Sequence, residues 1–104
     1  MTAKSAIERW FNEKGYGGLM LPDGWYGRPF DNMHRLVSIS ERDGQLELFV
    51  DGPELVLRFE GLASVKKEGA DLVLGPFVEL AVVSSQTGTR VYKGGTVTFK
   101  TLSL

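Results

Sequence analysis

Apolar residues recur at two different spacings along this chain, and the change of spacing divides it. Ala3, Ile7, Trp10 and Phe11 fall at helical intervals, while Lys4, Glu8, Arg9 and Glu13 lie largely on other faces. Ser5-Ala6-Ile7-Glu8 has the residue types of a capping box, with Thr2 as an earlier cap candidate. Lys14 suits the negative end of the helix dipole, and Gly15 can supply a left-handed cap. The pattern predicts a helix of about two to three turns ending near Lys14. So short a helix is marginal alone, so Trp10 and Phe11 have to dock on an apolar surface.

Further along, the period becomes two. Leu46, Leu48 and Val50 alternate with Glu47, Phe49 and Asp51, and beyond Asp51-Gly52-Pro53-Glu54 the residues Leu55, Leu57 and Phe59 alternate with Val56, Arg58 and Glu60. One apolar face per segment marks half-buried antiparallel strands. Arg42-Asp43-Gly44 reads as a hairpin turn from an earlier strand over 33–41. Further strands are predicted at 62–66, 71–74, 77–84, 89–93 and 96–102, separated by short Gly- and Pro-bearing turns, and a brief one at 19–21. Connections this short favour antiparallel neighbours over βαβ crossovers. The expected fold is α+β: a short N-terminal helix packed on a curved antiparallel sheet of roughly six to eight strands, barrel-like or two-layered. The helix footprint is Ile7, Trp10 and Phe11, facing Leu46, Leu48, Val50, Leu55, Leu57 and Phe59. Val97 and Phe99 predict that the last strand is paired into the sheet.

A length of 104 residues fits one domain, 1–104, with a single core. The absence of cysteine excludes disulfides, thiol nucleophiles and Cys-based metal sites. Twelve basic and thirteen acidic residues are interspersed, so no field steers the chain to nucleic acid or an anionic membrane. No apolar run has the length of a membrane span or a signal-peptide core, which makes cytoplasmic the expected location. Neither Gly15-x-Gly17-Gly18 nor Lys93-Gly94-Gly95-Thr96 meets the pattern of a nucleotide-binding loop. No cofactor or metal site is expected.

One stretch departs from this plain alternation. Residues 15–32 hold five of the thirteen glycines and four of the eleven aromatics. Pro22-Asp23-Gly24 is a strong turn former, and Gly27 and Pro29 bracket Arg28. Trp, Tyr and Arg dominate binding hot spots, and a stiff loop loses little entropy on binding. The loop 22–35, with Asp23, Trp25, Tyr26, Arg28, Asp31, Asn32 and His34, is therefore the candidate site for a protein partner or a small polar ligand. It reads also as a structural lid in which Trp25, Tyr26 and Phe30 cover a sheet end. The expected function is a non-enzymatic binding or interaction domain. The alternative is a small hydrolase with His34, the only histidine, as base and Asp23 or Asp31 as its partner. An exposed sheet edge leaves room for a homodimer.

Overall fold

Thr2 starts the helix. Its backbone is extended and its Oγ1 accepts the Ser5 N–H at 3.1 Å, so the earlier cap candidate serves and Ser5 lies inside the first turn. The computed structural model describes residues 2–26, 33–51 and 54–101. In chain order the elements are α1 (Ala3–Lys14), β1 (Gly18–Leu21), β2 (Gly24–Trp25), β3 (Leu36–Arg42), β4 (Gln45–Val50), β5 (Leu55–Glu60), β6 (Val65–Glu68), β7 (Asp71–Leu74), β8 (Glu79–Ser84), β9 (Gly88–Tyr92) and β10 (Val97–Lys100). The helix stops where Gly15 takes φ +82° and returns its N–H to the Phe11 carbonyl.

The strands form two five-stranded antiparallel sheets, ordered β2-β1-β10-β7-β6 and β3-β4-β5-β8-β9. The fold is α+β and two-layered, without barrel closure. Inward-facing residues line up as rungs across neighbouring strands. In the second sheet these are Leu46–Phe59–Leu80, Leu48–Leu57–Val82 and Val50–Leu55–Ser84; in the first, Leu19–Phe99–Leu72. The apolar members are buried and belong, with Ile7, Trp10 and Phe11, to one core. Each large side chain so buried contributes roughly 1.5–3 kcal/mol.

The aromatic contacts of the helix run to β10: Phe11 meets Phe99 edge-on at 4.9 Å and Trp10 meets Phe11 at 5.0 Å. Trp10 Nε1 donates to the Ala70 carbonyl at 3.0 Å. The indole lies so close to Gly17 that a Cβ there would sit 2.7 Å from its ring. Gly17 in turn exchanges both backbone hydrogen bonds with His34, at 2.9 and 2.8 Å. The docked helix thus sets the position of the histidine backbone.

Several strand boundaries differ from the expected ones, among them that of the strand expected at 33–41, which runs Leu36–Arg42. The strand expected at 62–66 runs Val65–Glu68, and the one at 77–84 begins at Glu79. Between them, Ala63 N–H bonds to the Pro76 carbonyl, Val78 N–H to Glu60 and Phe77 N–H to Gly95. These groups are satisfied outside the regular ladders, so alternation continues in the sequence where the strand does not. The final strand is paired with β1 through Lys100 and with β7 through Phe99; Leu102, within its expected range, lies outside the described residues. Among the described residues no helix is long and apolar enough to cross a membrane.

Candidate functional site

His34 is bridged to Gly17 and precedes β3, and the turn after β4 brings Asp51 beside it. The backbone of Asp51 is anchored there, its N–H bonding to the Arg35 carbonyl at 2.9 Å. Asp51 has φ +58°, a left-handed conformation that few residues other than glycine adopt but that Asp tolerates. Its carboxylate is fully engaged: Oδ1 accepts the Arg35 N–H at 3.0 Å and Oδ2 lies 2.7 Å from His34 Nδ1. A carboxylate that accepts at both oxygens makes Nδ1 the donor, which fixes the tautomer. In the neutral ring the lone pair is then left on Nε2. That atom is buried and has no hydrogen-bond partner among the described residues, in a side chain only 9% exposed.

Beside the pair lies a cavity of about 160 Å³ whose walls include Tyr26, His34, Asp51, Glu54, Ser84 and Gln86. Tyr26 is placed by a bond from its N–H to the Leu19 carbonyl at 2.9 Å, and its ring centre stands 5.6 Å from that of His34. Ser84 is the polar end of the third rung. Its Oγ accepts the N–H groups of Gln86 and Thr87, each at 3.2 Å, which leaves the hydroxyl proton as its one free hydrogen-bonding function. The Arg35 guanidinium is drawn elsewhere, over the Tyr16 ring at 5.8 Å.

Of the seven candidate residues, Tyr26 and His34 come together at this cavity. Trp25 is half-buried in β2, paired with Met20. Asp23 is exposed and turned the other way: its Oδ1 accepts the Tyr92 hydroxyl at 3.0 Å, tying the β1–β2 turn to β9. Burial, together with that bond to Asp23, pushes the Tyr92 phenol up, although Arg90 acts against them. Asp23 is therefore not the partner of His34; Asp51 is, because the antiparallel β3–β4 pairing returns the chain to that point. Arg28, Asp31 and Asn32 lie outside the described residues. Asp51, Glu54 and Ser84 were missed as site residues because turn formation and strand alternation account for their types. Among the described residues no group of three or more His, Asp or Glu is placed to hold a metal ion.

Compared with known proteins, the chain matches no family model, no curated protein and no solved structure.

Proposed function

We propose that this chain is a binding domain whose site is the cavity around Tyr26, His34 and Asp51, at the base of loop 22–35, and that it takes a small polar group. One observation carries the reading: a buried histidine, fixed through Nδ1 by a carboxylate, keeps Nε2 without a partner among the described residues, beside a cavity. Buried polar atoms are nearly always paired, and a ligand donor is the group that completes this one. A fragment screen followed by heteronuclear NMR tests it. Hits should shift resonances of Tyr26, His34 and Ser84 to Gln86, and His34→Ala should abolish those shifts. Hits that instead cluster in the larger groove between α1 and β6, beside Arg9 and Val65, would overturn it.

The same pair supports a second reading, a small hydrolase with His34 as general base and Asp51 orienting it. Here water is the nucleophile, since both Ser84 lone pairs are already taken. Ester hydrolysis that is lost in His34→Gln and in Asp51→Asn, with both variants folded, would favour it over binding alone.

A further inference from the structure

The chemistry lining the cavity is one-sided. Asp51 and Glu54 bring carboxylates, and no lysine or arginine is among the described lining residues. The Asp51 charge is shared with the Arg35 N–H and His34 Nδ1, whereas the exposed Glu54 side chain has no ion-pair or hydrogen-bond partner among the described residues. Among the described lining groups acceptor sites outnumber donor protons: the His34 Nε2 lone pair, the Glu54 carboxylate and the Gln86 side-chain carbonyl stand against the Ser84 hydroxyl and the Gln86 amide, while the Tyr26 and Ser85 hydroxyls offer both. Tyr26 adds an aromatic ring, whose face attracts cations, and Leu55 adds an apolar wall. A volume of about 160 Å³ is small beside the roughly 300–1,000 Å³ of sites that enclose whole drug-sized ligands. It admits a head group on a slim stem.

Resting on the reading of this cavity as the binding site, we infer that its ligand class is a primary ammonium group on an unbranched apolar stem. The ammonium donates to His34 Nε2 and to Glu54, its three N–H bonds matching the surplus of acceptors. The stem lies against Tyr26 and Leu55. An anion is disfavoured by both carboxylates. A free alkylamine and a lysine presented by a partner protein share this chemistry.

The test titrates n-butylammonium, n-butanol and butyrate into the isotopically labelled chain, following the His34 ring nitrogens and the amides of Ser84 to Gln86. Saturable shifts are expected with n-butylammonium, weaker ones with n-butanol and none with butyrate. Glu54→Gln should weaken n-butylammonium about threefold and Glu54→Lys at least about tenfold; because Glu54 is exposed, both variants should fold, as unchanged melting would verify. Nα-acetyl-lysine N-methylamide distinguishes the source, since tighter binding than n-butylammonium points to a lysine held in a polypeptide. If butyrate or butanol shifts these resonances as strongly as the amine, the site stands and the ammonium assignment falls. If no probe shifts them at any charge, both fall.

Discussion

Two adjacent rungs of the second sheet run across the same three strands and end differently. Leu48–Leu57–Val82 is hydrocarbon from end to end and fully buried. Two residues along, Val50–Leu55–Ser84 begins the same way and finishes in a hydroxyl, beside a cavity walled by His34 and Asp51. Alternation is unbroken in both, so pattern alone ranks them as equivalent. The difference is that the second rung is the last before the turns, where turn backbone N–H groups satisfy Ser84 Oγ and allow a polar side chain to be buried there. A site is built where the core runs out, from core positions whose polar atoms the neighbouring turns can partner.

The largest effect that separates the rungs is Leu57→Ala. Its cost should fall in the range of about 2–5 kcal/mol found for buried leucines, measured by urea unfolding. Leu55→Ala should cost less, because the space it leaves joins an existing cavity open to water; equal losses would erase the contrast. Asp51→Ala comes next, at about 1–3 kcal/mol, for it strands His34 Nδ1 and the Arg35 N–H. Asp51→Gly should recover part of that, since glycine relieves the left-handed backbone without restoring either bond. Ser84→Ala should cost about 1 kcal/mol through its two turn bonds and leave the Leu48 rung undisturbed, as hydrogen exchange would record.

The smallest effect lies away from both rungs, at Asp71 on β7. Burial opposes its charge, but the Thr101 N–H and Lys100 together hold its carboxyl below the ordinary value. The stability it contributes is therefore fully present above the unfolded carboxylate value of about 4 and is lost as pH falls through the lower folded value. Asp71→Asn should flatten that acid limb, read as a shallower fall in melting temperature below about pH 4. An unchanged limb would show that other carboxylates govern acid unfolding.

The helix and the rungs were legible because each rests on local spacing. Ile7, Trp10 and Phe11 declare one face of a helix, and Leu46 to Phe59 declare one face of a hairpin. The division into two sheets was not legible, since alternation in Val97 and Phe99 says which face is buried but not which strands lie alongside. The histidine–carboxylate pair stands between these cases. Arg42-Asp43-Gly44 fixes the β3–β4 hairpin, and counting back from that turn brings residues 34–35 opposite Asp51, after a register shift between Leu36 and Ser38. The partner was thus within reach of register counting, whereas searching along the loop for nearby carboxylates led to Asp23. The burial of Ser84 was hidden because a serine at the end of a strand and before a turn has an ordinary local explanation.

The place of β10 bears on how the chain assembles. It follows the other nine strands in sequence, yet sits in the middle of its sheet between β1 and β7. A polypeptide emerging from the ribosome can pair β3 with β4 and β4 with β5 as each appears. The β1 strand, made long before, has to wait until Val97 to Lys100 have been synthesised before its main partner exists. Closing so long a loop is entropically slow compared with zipping a hairpin. Trp10 and Phe11 wait with it, because the ring on which they rest, Phe99, belongs to the same late strand. The β3–β4–β5 meander is therefore the part expected to form first, and the helix that precedes it in the chain is expected to dock after it.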